Sequence, residues 1–307
     1  MSIPNLILPV FAVILTGWLA GAAGYLPRSL SGHIVQFAYN IAMPALVFLT
    51  IAQSTVDALA DWRFLAAFGG GSSLCFLVAF GMARAAARRG LGGSAMIGAT
   101  ASMTNTGFVA LPVLQALYGQ PGVLPAAIAT LFVGVVMFPM MILLLEIDGQ
   151  GRAARTSPLQ VARLVIVNPV MLSTLLGLAW SATRLPLPAP FVAYARIFAD
   201  ALTPCALFAI GLGLSRDDLR GIFGTSALLA TIKLVLMPLA VFGLCRLCGL
   251  GPFPTIAAVV CAAVPTAKTA YMLAGQYHVE EAVVASTISM TTLFSVITLI
   301  AWLYALT

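Results

Sequence analysis

The sequence predicts an all-α polytopic membrane protein with ten transmembrane helices in two inverted five-helix repeats, and three observations carry that prediction. The 307 residues are 61% hydrophobic and only 8% charged, with a mean hydropathy of +1.06, which is too apolar for a normally solvated surface. Apolar windows of about 20 residues, the length that crosses the hydrocarbon core, follow one another with short connections. Residues that shape membrane helices recur at a constant spacing of 160: Pro9 with Pro169, Gly17 with Gly177, and Pro44 with Pro204.

Windows bounded by Gly, Pro and charge predict spans near 4–23, 30–51, 63–83, 92–118, 122–145, 161–181, 189–214, 222–247, 254–277 and 280–305. The one long polar connection, 146–160 (EIDGQGRAARTSPLQ), separates a first repeat over 1–145 from a second over 161–307 and reads as a cytoplasmic linker. Because five is odd, the second copy enters the membrane from the opposite side, so the repeats are inverted.

The net charge of +6 does not indicate nucleic acid, because the basic residues sit in short loops rather than on one polar face. With the N-terminus outside, the inner loops hold Arg28, Arg84, Arg88, Arg89, Arg152, Arg155, Arg163, Arg216 and Arg220. The outer side holds only Arg63, Arg184, Arg196 and Arg246. Both termini are therefore expected on the extracytoplasmic side. No Lys or Arg precedes the first apolar run, so that run is expected to stay as a span rather than be cleaved as a signal peptide. The five cysteines are scattered, and the lone Cys245/Cys248 pair has no second pair to build a metal site. No cofactor and no metal are expected.

Two spans carry helix breakers among polar residues. The fourth reads GATASMTNTGFVALPVLQALYG and the ninth AAVVCAAVPTAKTAYMLAGQY. An unpaired backbone group in hydrocarbon costs several kcal/mol, so such segments persist only where protein, water or a substrate satisfies them. Asn105, Thr106 and Gly107, with Pro112 after them, form the first interruption; Pro265, Thr266, Lys268 and Thr269 form the second. Paired interruptions in matching helices are the pattern of transporter binding sites, where half-helix N-termini offer N–H groups and a positive dipole end to an anion. The bland alternative is that Gly, Pro, Asn and Thr are common packing residues of membrane helices.

Lys268 is the most informative single residue, because a lysine at mid-span costs about 2.5–3.5 kcal/mol on insertion scales. It requires a carboxylate substrate, a partner such as Asp200, or loss of its proton. Lys233, in the eighth span, reads as facing lipid or a packed surface. Asp200 precedes Pro204 by four residues as Asn40 precedes Pro44, so both polar groups hold one position in the second span of a repeat; Tyr39 and Thr203 adjoin them. His33 and His278 read as interfacial, and Asp57, Asp61, Asp217, Asp218, Glu280 and Glu281 as solvated loop charge.

The runs NTGFVALPVLQALYG, VPTAKTAYMLAGQYHVEEAVVAST, YNIAMPALVF and VNPVMLSTLLGL resemble the auxin efflux carrier family, whose bacterial members are described as malonate or other organic-acid permeases. The resemblance covers essentially the whole chain. It implies a fold similar to bile-acid symporters and sodium/proton antiporters, with helices 4 and 9 unwound where they cross. It further implies elevator-type movement and a homodimer in the bacterial inner (plasma) membrane. Asn105 matches the family's fourth-span asparagine and Pro265 its ninth-span proline; Lys268 departs from the amide or small residue expected there.

The expected function is secondary transport of a small organic anion such as malonate. The alternatives are efflux of an auxin-like weak acid, or a proton- or sodium-coupled antiporter or channel using the same crossing. An intramembrane enzyme is disfavoured, since HExxH, GxSxG and paired aspartates within spans are all missing.

Overall fold

The computed structural model describes residues 3–53, 61–148, 169–213 and 223–306, and these are helical with no strands. In chain order the helices are α1 (Ile3–Ala22), α2 (Leu30–Ala52), α3 (Trp62–Ala85), α4 (Leu91–Ser102), α5 (Thr106–Tyr118) and α6 (Gln120–Asp148). They continue with α7 (Pro169–Thr183), α8 (Ala189–Gly213), α9 (Gly224–Leu247), α10 (Pro252–Ala263), α11 (Lys268–Tyr277) and α12 (Glu281–Leu306). Six of them, α2, α3, α6, α8, α9 and α12, are long and apolar enough to cross a membrane. Large apolar side chains such as Leu77, Leu143 and Ile297 are more than half exposed, as expected of surfaces that meet lipid rather than water.

Most of the anticipated linker, the start of the sixth span, and Asp57, Asp217 and Asp218 lie outside the described residues. Helix α6 runs to Asp148, so Glu146 and Ile147, expected at the start of the linker, are still helical.

The chain forms two compact units, and each draws on both halves of the sequence. Unit 1 comprises residues 1–62, 107–128 and 166–214; unit 2 comprises 63–106, 129–165 and 215–307.

In unit 1, α1 packs on α8 and α7 packs on α2. Glycines make both approaches close. A Cβ on Gly17 would lie 2.2 Å from the Phe208 carbonyl oxygen, and one on Gly211 would lie 1.8 Å from that of Ile14. On α7, a Cβ on Gly177 would stand 3.3 Å from the Phe48 carbonyl oxygen. Without a hydrophobic drive between helices in lipid, such close backbone packing is what holds them together. Ser31 adds a buried bond from its hydroxyl to the Ala209 carbonyl at 2.7 Å.

Unit 2 is built around α4 and α10, whose residues are small and almost all buried, among them Ala95, Ala99, Ala101, Ala257, Ala258 and Ala262. At one end, Arg89 pairs with Glu280 at 2.8 Å and the Tyr277 hydroxyl donates to Glu146 at 2.7 Å. Glu280 is thus not the freely solvated loop charge the sequence suggested; it ties the α3–α4 turn to the α11–α12 turn.

Among the described residues four helices contain a five-residue π turn: Ala38–Ala42, Thr106–Ala110, Val133–Met137 and Ile232–Leu236. Each ends two residues before a proline, namely Pro44, Pro112, Pro139 and Pro238. Proline has no N–H and its ring collides with the carbonyl four residues back, and one wider turn relieves that collision. The carbonyl so released by Pro238 is that of Leu234, and the indole N–H of Trp302 donates to it at 3.0 Å. Trp302→Phe is therefore expected to lower the thermal midpoint in detergent, at a cost of about 1 kcal/mol for the lost bond. An unchanged midpoint would mean the carbonyl is satisfied without the indole.

Candidate functional site

Both anticipated interruptions are present, and in unit 2 they meet. Helix α4 stops at Ser102 and α5 begins at Thr106; α10 stops at Ala263 and α11 begins at Lys268. The intervening residues form an isolated antiparallel bridge between Thr104 and Thr266. The Asn105 amide donates to the Pro265 carbonyl and the Ala267 amide to the Met103 carbonyl, both at 2.9 Å. Backbone groups freed by two broken helices thus satisfy each other, as burial in an apolar interior demands.

Thr266, fully buried, is committed to this crossing. Its N–H donates to the Thr291 hydroxyl at 3.2 Å, and its own hydroxyl donates to the Thr100 carbonyl at 2.8 Å. Thr266 itself therefore has no free donor: it lies inside the bridge, and its N–H and its hydroxyl are both used. Thr106, buried, accepts from the Thr130 hydroxyl at 2.9 Å. The Asn105 side chain, 7% exposed, makes no hydrogen bond among the described residues. Pro265 is buried, and Thr269 is partly exposed in the first turn of α11.

Lys268 does not sit inside a continuous span. It is the first residue of α11, and its side chain is exposed. A helix N-terminus already carries about half a positive charge, so a lysine there adds like to like, and among the described residues no salt bridge offsets it.

Lys233 occupies the opposite situation. It is fully buried, and its ammonium donates to the Ala262 carbonyl and, at 2.7 Å, to the Val264 carbonyl. These oxygens belong to the C-terminal end of α10, the negative end of that half-helix. Of the two surfaces the sequence allowed for Lys233, the packed one is correct and the lipid-facing one is not.

The other anticipated residues belong to unit 1. Gly107 and Pro112 are buried in α5, and Tyr39 stacks on Phe108 with ring centroids 5.7 Å apart. Asn40 lies exposed in the π turn of α2, and Asp200 is exposed on α8. The Thr203 hydroxyl donates to the Gln115 side-chain oxygen at 2.8 Å.

Three contributors escaped the sequence reading. Thr104 is buried with its hydroxyl unpartnered among the described residues. Thr291 receives the Thr266 amide. Ser72, in the third span, donates from its hydroxyl to the Ser102 carbonyl at 3.1 Å, at the C-terminal end of α4. The signal for Ser72 was available: it precedes Lys233 by 161 residues, close to the repeat spacing.

Apolar helices with two interrupted ones joined through their backbones define a polytopic membrane protein of the transporter type. The chain belongs to the membrane transport protein family, the auxin efflux carrier family of the resemblance above, whose profile matches residues 2–303. A protein of Rhizobium meliloti (strain 1021), provisionally named a malonate transporter, is 27% identical over 305 residues, covering 99% of this chain and 95% of the relative. An uncharacterized transporter of Methanothermobacter thermautotrophicus is 24% identical over 98% of both chains. The uncharacterized transporter YfdV of Escherichia coli (strain K12) is 24% identical over 97% of this chain and 96% of its own.

Proposed function

We propose that this chain is a secondary carrier for a small organic anion, a mono- or dicarboxylate of which malonate is the first candidate. The observation that carries the reading is Lys268 at the N-terminus of α11, where ammonium and helix dipole are both positive and only an anion relieves them. Asn105, with an uncommitted side-chain amide, and Thr106 are the hydrogen-bonding partners for a carboxylate, with Thr269 beside Lys268. Thr266 and Pro265 hold the crossing. Gly107, Pro112, Asn40, Asp200 and Thr203 have supporting roles within unit 1. The name of the Rhizobium relative favours malonate over an auxin-like acid.

The movement is of elevator type, with unit 2 as the carrying body and unit 1 as the scaffold, in a homodimer in the bacterial inner membrane with both termini outside. Ten spans in inverted repeats underlie it. Two observations support that count. Gly17 approaches the Phe208 carbonyl as Gly177 approaches that of Phe48, and both pairs are mates at the spacing of 160. Turns that the count assigns to the inner face are joined by Arg89–Glu280 and Tyr277–Glu146.

Uptake of labelled malonate into proteoliposomes, competed by unlabelled mono- and dicarboxylates, tests the proposal. Saturable uptake blocked by a carboxylate is expected. Uptake no greater than in protein-free vesicles for every acid would sink it, and unitary currents would make the protein a channel.

A further inference from the structure

Lys233 is the least expected group in unit 2, and the proposed carriage of an anion makes no use of it. Its ammonium is fully buried against two carbonyl oxygens at the end of α10. Among the described residues it forms no salt bridge with a carboxylate. The charge is therefore balanced by the half-helix end itself and not by a salt bridge.

The first half of the chain provides an internal comparison. There the corresponding end, that of α4, is met by the hydroxyl of Ser72, which donates to the Ser102 carbonyl. A neutral donor is thus enough to satisfy a released carbonyl at one half-helix end, whereas the other end receives a lysine Nζ that donates to two carbonyls. In carriers built from broken helices, unwound carbonyls and half-helix C-termini are the groups that hold a coupling Na⁺ or H⁺. At the end of α10 two of those oxygens are already taken.

We propose that the Lys233 ammonium is a tethered counter-cation, occupying the α10 carbonyl end in place of a free monovalent cation, so that the crossing is assembled without sodium or any other metal ion. Its consequence for coupling rests on the carrier reading above; its structural content does not. Lys233 is a positioning residue, acting on the anion only through the crossing it holds.

The experiment uses the full chain purified in detergent. Thermal midpoints of the wild type are measured in sodium, potassium and choline chloride, and are expected to coincide; stabilisation specific to sodium overturns the proposal. Lys233→Ala removes all of the side chain beyond Cβ, a fragment that n-propylammonium reproduces. Its midpoint is expected to fall by on the order of 5–10 °C, since two buried carbonyls lose their donor. Addition of n-propylammonium chloride is expected to restore at least half of that fall, with n-propanol at the same concentration restoring none. No recovery, or equal recovery with n-propanol, overturns the charge assignment. If Lys233→Ala yields no folded protein, Lys233→Met and the wild-type salt series decide: a Met variant as stable as wild type overturns the proposal, and a destabilised one beside a salt-independent wild type upholds it. None of these midpoints depends on what the chain carries, so failed malonate uptake would remove the carrier reading and leave the lysine's role standing.

Discussion

Gly211→Leu is expected to abolish accumulation of folded protein, whereas Gly243→Leu is expected to be tolerated. At Gly211 even a Cβ would sit 1.8 Å from the backbone oxygen of Ile14, an overlap no rotamer relieves because both atoms are fixed to helix axes. The two helices would have to separate along their contact, and overpacking of that kind costs about 3 kcal/mol or more. The Gly17 approach to Phe208 on the same pair of helices would be lost with it. Gly243 has nothing within 4 Å of its would-be Cβ, so the same residue change in a membrane helix is harmless there. Yield and size-exclusion profile of the detergent-extracted variants check the pair. A monodisperse Gly211→Leu protein would show that α1 and α8 do not rely on this approach.

Lys268→Ala is expected to reduce carboxylate uptake more than tenfold while leaving the thermal midpoint near that of wild type. The side chain is exposed at the start of α11 and takes part in none of the hydrogen bonds of the crossing, so its loss removes charge and not structure. A hydrogen bond between charged groups contributes about 1.5–3 kcal/mol, which corresponds to roughly 10- to 150-fold in affinity. Removing a cation from a helix N-terminus should even favour the helix slightly. Labelled uptake across several acids, measured beside stability, separates the two effects. Wild-type rates for every acid would end the assignment of Lys268 as the charge that meets the substrate.

The contrast between the two intramembrane lysines shows where sequence reading stops. Both Lys233 and Lys268 are cations inside apolar runs, and hydropathy treats them alike. The sequence made Lys268 the conspicuous one because it adjoins Pro265 and Thr266 in an obvious break. It could not show that Lys268 opens a half-helix with its side chain exposed, or that Lys233 ends on the carbonyls of Ala262 and Val264. That depends on which face of α9 meets α10, and a single span's periodicity does not name its neighbour.

Composition and spacing by themselves determined that the chain is a helical membrane protein, that two helices are interrupted, and at which residues. These are local facts: apolar length, the missing N–H of proline, and polar groups too costly to leave in lipid. Tertiary structure alone decided that the interruptions bond to each other through Thr104 and Thr266, that Thr266 is consumed in doing so, and that Ser72 and Lys233 meet the two half-helix ends. Hydrogen bonds to released backbone groups come from whichever helix lies alongside, and adjacency of helices far apart in the chain is a property of packing.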